Sequence, residues 1–222
     1  MMLGAVLKPI NRLGRQTVST IGDLGYAGAL LAESLYFSVM GWRVGQPVRL
    51  RAVLEQMRQV GVDAIPIVML LAFTIGVMLG IQFIAALGEF GAESEVVIAV
   101  AKSVTREFGA LITGIVVAGR SGSSFAARIG WMNVSQEVDA LAVIGIEPVR
   151  YLVAPSLIAM LIMMPLLTIF ADAVALLGAA LYCAPPLQLS IPNYLAQTLE
   201  VTTAWDIGQG LAKSLIFAVL IT

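Results

Sequence analysis

The stretch AIPIVMLLAFTIGVMLGIQFIAALG, residues Ala64–Gly88, decides the fold class because it contains no charged residue. At a helical rise of about 1.5 Å per residue, it is long enough to cross the roughly 30 Å hydrocarbon core of a bilayer. Pro66 lies near its start, where the first turn of a helix tolerates proline. The stretch therefore predicts a first transmembrane helix over residues 62–87.

The composition of the whole chain also indicates a membrane protein. Of its 222 residues, 59% are hydrophobic and 12% are charged, and this charged share is about half that of an ordinary soluble domain. The net charge of -1 gives no bulk attraction to nucleic acid, so no nucleic-acid partner is expected. The chain has no histidine and a single cysteine, Cys183. We therefore expect no metal site, no cofactor in this chain and no enzymatic activity.

Three further apolar segments predict additional membrane helices. The second span is expected over residues 107–128, the third over Tyr151–Ala184, and a fourth from Ile207 to the end of the sequence. The segment Glu89–Val104 is acidic with a short apolar centre, which favours an interfacial or re-entrant segment. We expect an all-α polytopic membrane protein that forms a single domain over residues 1–222.

Residues 1–60 are interpreted as a cytoplasmic and interfacial region that precedes the transmembrane region, residues 62–222. Within it, Leu24–Trp42 is long enough to span a membrane and contains only one charge, Glu33. Tyr26, Tyr36 and Trp42, together with flanking basic residues, favour a helix that lies in the interface, although a spanning helix stays open.

The distribution of Lys and Arg predicts the orientation. The stretch Ala184–Asp206 is rich in Pro and Thr and contains no Lys or Arg, so it is expected to form an external loop. Because cytoplasmic segments carry the excess of these residues, we expect the N-terminus in the cytoplasm. Seven of them precede the first span: Lys8, Arg12, Arg15, Arg43, Arg49, Arg51 and Arg58.

A short amphipathic helix is expected over Ser135–Ile144, between the second and third spans. Asn133 or Ser135 can cap it, and two acidic residues in its first turn suit the positive end of the helix dipole. Gly145 predicts the end of this helix. Such a helix either lies on the membrane or docks a soluble partner, and the residues alone leave both open.

Small residues recur at every fourth position in the first two spans, which predicts close helix contacts. Packing within one chain and a seam between the two chains of a homodimer fit this spacing equally well. The repeated positions are Ala72, Gly76 and Gly80 in the first span, and Gly114, Ala118, Gly122 and Ala126 in the second.

Charged residues inside the predicted spans form another set of candidates. Arg106 and Glu107 lie near the external end of the second span, and Lys213 lies at a similar depth in the fourth. Because a charge at the bilayer centre costs roughly 2.5–3.5 kcal/mol on insertion scales, such side chains face a polar cavity or reach the headgroups. Arg120 is expected to be held by neighbouring carbonyls and serines, whereas Asp172 is either neutral or paired with a cation on another helix.

Residues Arg106–Pro155, REFGALITGIVVAGRSGSSFAARIGWMNVSQEVDALAVIGIEPVRYLVAP, resemble the signature region of the MlaE/YrbE permease family. The shared pattern runs from an R-E pair through A-G-R-x-G-S to an ending of the form P-x-R. The segments GVMLGIQF before it and LAKSLIFAV after it are also similar to the family. Arg128 departs from the pattern, in which Glu is common, and this puts in doubt any ion pair that a Glu would make there.

This resemblance implies the permease subunit of an ABC phospholipid transporter that is associated with MCE proteins and maintains outer-membrane lipid asymmetry. It implies a homodimer in a bacterial inner membrane, in which each subunit has an interfacial N-terminal helix and about five transmembrane helices. The fourth would then be truncated in this chain, and the last would be missing. The implied partners are an ATPase subunit that binds ATP, a periplasmic MCE-domain protein and a small STAS-type regulator.

The resemblance also implies roles for individual residues. Ser135–Ile144 corresponds to the coupling helix that meets the ATPase. Two alternatives stay open: the same scaffold moving a sterol, a hopanoid or another hydrophobic compound, and a membrane scaffold that anchors a soluble complex without transport. The candidates are Glu137, Asp139 and Leu141 for docking, Arg106, Glu107 and Lys213 for the polar rim of a lipid cavity, and Leu79, Leu87 and Phe90 for contacts with lipid tails.

Overall fold

The computed structural model describes residues 18–22, 25–26, 28–34, 36 and 49–222, and these residues form helices and turns without a β-strand. Three helices in this described part are long and apolar enough to cross a membrane: Leu50–Gly88, Pro148–Cys183 and Ala204–Ile221. The predicted all-α polytopic fold is therefore confirmed. Whether Leu24–Trp42 lies in the interface or spans depends on residues outside the described ones.

The first span consists of helix α1, Leu50–Val60, a 3-10 turn at Val62–Ala64 and helix α2, Ile65–Gly88. Helix α1 is amphipathic and buries Val53 and Val60 on one face. Helix α2 has Pro66 in its first turn and is apolar on all sides, as expected for a helix with lipid on one face and protein on the other. The span predicted over residues 62–87 is confirmed.

The second span belongs to a helical run that continues without a break from Val96 to Val134. It comprises α3 (Val96–Ser103), α4 (Gly109–Val117) and α5 (Ser123–Val134), joined by two π-helical turns at Val104–Phe108 and Ala118–Gly122.

The expectation of an interfacial or re-entrant segment over Glu89–Val104 was wrong for its second half. Val96–Ser103 forms helix α3 and continues directly into the second span. The apolar centre of this segment explains the difference, because Val96, Val97 and Val100 are buried in the core. Burial against helix α2 stabilises a helix that is too short to be recognised by its length.

Helix α6, Glu137–Val143, and helix α7, Pro148–Cys183, follow the second span. Gly145 separates them with a φ of 77°, a left-handed conformation that glycine adopts without strain, so the predicted helix stop is confirmed. Helix α7 continues through Pro155 and Pro165 and forms the centre of the molecule, since α1, α2, α4 and α9 (Ala204–Ile221) all pack against it.

The predicted external loop contains helix α8, Ile191–Val201, which was missed. The Ser190 hydroxyl accepts a hydrogen bond from the Asn193 backbone N–H at 3.4 Å, and Pro192 lies in the first turn. A serine cap followed by an early proline is a helix-start signal, and it identifies this helix in retrospect. Tyr194 is fully buried and anchors α8 to the core.

Helices α2 and α7 approach each other closely at glycine positions. A Cβ atom on Gly76 would lie 1.9 Å from the Ala175 carbonyl oxygen, and one on Gly80 would lie 2.7 Å from Cys183 Sγ. Gly114, in the second stripe, lies against the Phe217 ring of α9. These glycines therefore pack within one chain, whereas Ala118 and Ala126 lie on an exposed face of the second run.

Candidate functional site

Four charged side chains meet where the π-helical turn Val104–Phe108 packs against α9. An Nη atom of Arg106 lies 2.6 Å from Oδ1 of Asp206. Lys213 Nζ forms an ion pair with Glu107 and donates a hydrogen bond to the Arg106 carbonyl at 3.0 Å. These residues, here called the charge cluster, contain two cations and two anions, so their charges balance.

A close helix approach brings the charge cluster together. A Cβ atom on Gly210 would lie 2.2 Å from the Thr105 carbonyl oxygen, so only glycine lets α9 come so near to the π-helical turn. Lys213 follows Gly210 by about one helical turn and so projects from the same face of α9 towards Glu107. The π-helical turn interrupts the usual α-helical hydrogen-bond pattern, and such turns are frequent at functional sites.

Asp206 both caps the start of α9 and pairs with Arg106 in the charge cluster. Its Oδ2 atom accepts hydrogen bonds from the backbone N–H and the hydroxyl of Thr203, at 2.9 Å and 2.8 Å, which caps the start of α9. Its Oδ1 atom pairs with Arg106. The residue is fully buried, and a buried carboxylate needs such partners to offset its lost hydration.

The charge cluster is accessible from one side. The side chains of Arg106 and Lys213 are 39% and 38% exposed, and that of Glu107 is 64% exposed. The structure thus places the three predicted rim residues together and adds Asp206, which sequence reasoning missed. The signal was the spacing Thr203-x-x-Asp206, a form of the capping box.

The candidates for lipid-tail contacts lie in different environments. Leu79 is only 6% exposed and belongs to the hydrophobic core, where side chains of the same chain surround it. Leu87 is half-buried against that core, and Phe90 is 82% exposed on the turn after α2. In this conformation Phe90 and Leu87 offer surface to a lipid, whereas Leu79 does not.

Asp172 lies in the interior between α7 and α4. Its Oδ1 atom is buried and has no hydrogen-bond partner among the described residues. A Cβ atom on Gly109 would lie 1.7 Å from that oxygen, so the carboxyl group occupies the space that a side chain at position 109 would need. One turn before Asp172 in α7, the hydroxyl group of Thr168 is hydrogen-bonded to that of Thr113 in α4 at 3.0 Å.

Arg120 has a partner that the sequence did not reveal. Its Nη2 atom lies 3.8 Å from Oδ2 of Asp63 in the 3-10 turn before α2. The hydroxyl of Ser123 was expected to help hold this arginine, but it donates to the carbonyl oxygens of Gly119 and Arg120 instead. Arg120 and Asp63 flank a cavity of about 190 Å³ between the first and second spans.

Helix α6 presents its acidic side chains to the surface. Glu137 and Asp139 are exposed, and Leu141 is half-buried. Gln136, with a φ of 58°, is the residue before the helix, and the Ser135 hydroxyl donates to Glu137 Oε1 at 3.0 Å. The expected side-chain cap to the backbone is therefore replaced by a tight left-handed turn and a contact between side chains.

An exposed apolar patch surrounds helix α6. Val143 is 86% exposed, and the side chains of Trp131, Val134 and Ile144 are also largely exposed. Such a concentration of large apolar side chains on a surface marks a site of contact with membrane or protein.

The chain is similar to known proteins over most of its length. The family described as "Permease MlaE" matches residues 53–222. A protein of Rickettsia felis named "Probable ABC transporter permease protein" is 31% identical over 218 residues, which are 98% of this chain and 82% of that protein.

Two relatives carry more informative names. A protein of Haemophilus influenzae, "Intermembrane phospholipid transport system permease protein MlaE", is 30% identical over 217 residues, 96% of this chain and 80% of its own length. The Arabidopsis thaliana protein "TRIGALACTOSYLDIACYLGLYCEROL 1, chloroplastic" is 32% identical over 172 residues, which cover 78% of this chain and 49% of that protein.

Proposed function

The chain belongs to the MlaE permease family, and from this premise we propose that it is the permease subunit of an ATP-driven phospholipid transporter. It moves phospholipid between the inner membrane of a bacterium and a periplasmic MCE carrier, and so maintains the lipid asymmetry of the outer membrane. The name of the Haemophilus influenzae relative supports phospholipid as the substrate.

The charge cluster is the observation that carries this proposal. Its two ion pairs balance, so the cluster is tolerated within membrane-spanning helices, and three of its side chains still retain accessible surface. A neutral but strongly dipolar rim beside apolar helices suits a phospholipid, which has a zwitterionic or anionic headgroup on apolar tails. Phe90 and Leu87 supply exposed apolar surface at the end of α2.

Helix α6 is the proposed docking element for the ATPase subunit. Its acidic side chains are exposed for contact with a basic groove, and the apolar patch around it adds buried area on docking. Movement of the ATPase pair would then be transmitted through α6 to the second and third spans, which flank it directly in the chain.

The complete transporter requires a second copy of this chain. Ala118 and Ala126, two members of the second stripe, are small and exposed, so their side of the second run permits close approach of another helix. The proposed assembly contains a homodimer, an ATPase pair, a periplasmic MCE-domain protein and a small STAS-type regulator. The N-terminus lies in the cytoplasm, in keeping with the many basic residues before the first span.

The experiment that tests this proposal is phospholipid transfer from proteoliposomes that contain the complete transporter with its cognate ATPase and MCE protein. We expect transfer that requires ATP hydrolysis. Glu107→Gln and Lys213→Met each leave one charge without its partner and should lower transfer roughly tenfold, because a charge-assisted hydrogen bond contributes about 1.5–3 kcal/mol. Lys102→Met, outside the charge cluster, is the matched control.

The double variant Glu107→Gln with Lys213→Met separates function from stability. It should recover the thermal stability that either single change loses, because no charge is left unpaired, yet it should still transfer lipid slowly. Transfer at the normal rate in all three variants would contradict the role of the charge cluster. Mass spectrometry of the lipid carried by the purified transporter would reassign the substrate if a sterol or hopanoid were recovered in place of phospholipid.

A further inference from the structure

A polar cavity lies at the opposite end of the spans from the charge cluster. It has a volume of about 460 Å³ and is bordered by the start of α1, the middle of α5 and the start of α7. We call it the arginine cavity, because four arginines line it: Arg49, Arg51, Arg128 and Arg150.

The arginine cavity carries an uncompensated positive charge. Glu55 is its one acidic lining residue, which leaves three positive charges in excess. Within residues 49–222, none of the ion pairs involves the four arginines. Arg49 instead lies 5.6 Å from the centre of the Tyr151 ring, which holds its guanidinium over an aromatic face at the cavity wall.

Two helix starts add to this positive field. Helix α1 begins at Leu50 and helix α7 at Pro148, so the first turns of both helices border the arginine cavity. Backbone N–H groups in a first helical turn have no partner within the helix, and the positive end of the helix dipole attracts anions.

Gln56 provides an independent sign of a missing ligand. It lines the arginine cavity and is only 6% exposed, yet its Oε1 atom has no hydrogen-bond partner among the described residues. A buried polar atom without a partner costs about 1–3 kcal/mol, so native structures normally satisfy it. A hydroxyl or ammonium group of a bound ligand would do so here.

The rest of the wall is apolar and indicates a ligand with a hydrophobic part. Ile146, Leu152 and Pro155 line the arginine cavity on the side of α7. A smaller cavity of about 20 Å³ shares Arg128 and Leu152 with it, and its remaining lining residues are Phe125, Ile129, Val153, Ser156 and Thr222. A free phosphate ion would use only the polar half of this arrangement.

We infer that the arginine cavity binds the phosphate of an anionic phospholipid, with the acyl chains against the apolar side chains of α5 and α7 beside it. The guanidinium groups form charge-assisted hydrogen bonds with phosphate oxygens, and Gln56 accepts from a headgroup donor. The bound lipid contacts α1, Arg128 of α5 and the start of α7, and so links these three helices. This site is separate from the proposed transport cavity and does not depend on the transport function.

Lipid binding to the purified full-length protein tests this site. The protein is placed in nanodiscs of phosphatidylcholine with increasing phosphatidylglycerol, and retained lipid is counted by native mass spectrometry. We expect one tightly held phosphatidylglycerol per chain. Arg128→Gln with Arg150→Gln should weaken this binding at least roughly tenfold, whereas Arg58→Gln, an exposed arginine of α1 outside the cavity, should leave it unchanged.

A variant that is expected to bind the lipid more tightly distinguishes loss of the site from misfolding of the arginine variants. Glu55→Gln removes the acidic residue from the cavity wall and should tighten phosphatidylglycerol binding roughly two- to fivefold. Equal binding by the wild type and the double arginine variant, or an equal loss in Arg58→Gln, would overturn the proposal. Displacement of the lipid by millimolar inorganic phosphate would assign the anion site to a soluble phosphate and overturn its assignment to a lipid.

Discussion

At the scale of single residues, glycine determines where polar groups are tolerated in this membrane protein. Gly109 makes room for the Asp172 carboxyl group, and Gly210 lets α9 reach the turn that carries Arg106 and Glu107. A side chain at Gly210 would push α9 away from the backbone of the π-helical turn, whereas a side chain at Gly109 would displace the Asp172 carboxyl group. The sequence marks these glycines only as small residues, because their partners lie far away along the chain.

The substitution Gly109→Ala should destabilise the protein by roughly 1–3 kcal/mol, because the new methyl group would overlap Asp172 Oδ1. Gly119→Ala, in the same helical run, is the matched control, since a Cβ atom there would meet no atom of a neighbouring element within 4 Å. Thermal unfolding of the detergent-purified protein measures both. Combining Gly109→Ala with Asp172→Ala should restore stability, and unchanged stability in Gly109→Ala alone would contradict the packing described for this site.

At the scale of secondary-structure elements, the π-helical turns and the short helices are the features that local patterns predict least well. The turns at Val104–Phe108 and Ala118–Gly122 carry Arg106, Glu107 and Arg120, three of the charged residues in this helical run. A π-helical turn lacks a distinctive residue preference and persists because the surrounding packing stabilises it. Helix α6, in contrast, was predicted from its acidic first turn and from Gly145.

Charge reversal on α6 tests its proposed role as a docking element. Glu137→Lys with Asp139→Lys should abolish co-purification of the ATPase and lower lipid transfer more than tenfold, while the monomer remains stable because both side chains are exposed. Glu93→Lys, an exposed acidic residue in the turn before α3, is the control. Normal ATPase binding by the double variant would show that α6 is not the docking element.

At the scale of the whole molecule, the long helix α7 organises the fold, and the small residues of the two stripes lie in different environments around it. Gly76 and Gly80 lie in the interior against α7, whereas Ala118 and Ala126 lie on the surface. The spacing of the stripes predicts close contact in both cases. Only the three-dimensional arrangement determines which contacts lie inside one chain and which small residues stay exposed.

The exposed face at Ala118 and Ala126 is the place to test the proposed homodimer. Ala118→Leu with Ala126→Leu should convert the purified protein from two copies to one, because the added side chains hold a second helix away. The mass in detergent, measured by light scattering, gives the result. Ala85→Leu, exposed on α2, should leave the dimer intact, and an intact dimer in the double variant would exclude this face as the seam.

The sequence by itself determined the membrane class, the positions of the main spans and the helix that ends at Gly145. These follow from local properties: the length of uncharged stretches, the balance of charged residues and the conformations that glycine allows. The similar depth of Arg106, Glu107 and Lys213 could also be predicted, since helical rise converts position along the chain into depth.

Only the tertiary structure decided which distant residues are partners. The pairing of Arg106 with Asp206 and of Arg120 with Asp63, the withdrawal of Leu79 into the core, and the gathering of four arginines around one cavity all join separate helices. The physical reason is that helix rotation and approach depend on packing against neighbours, and this packing is settled by contacts such as that of Gly210 with Thr105.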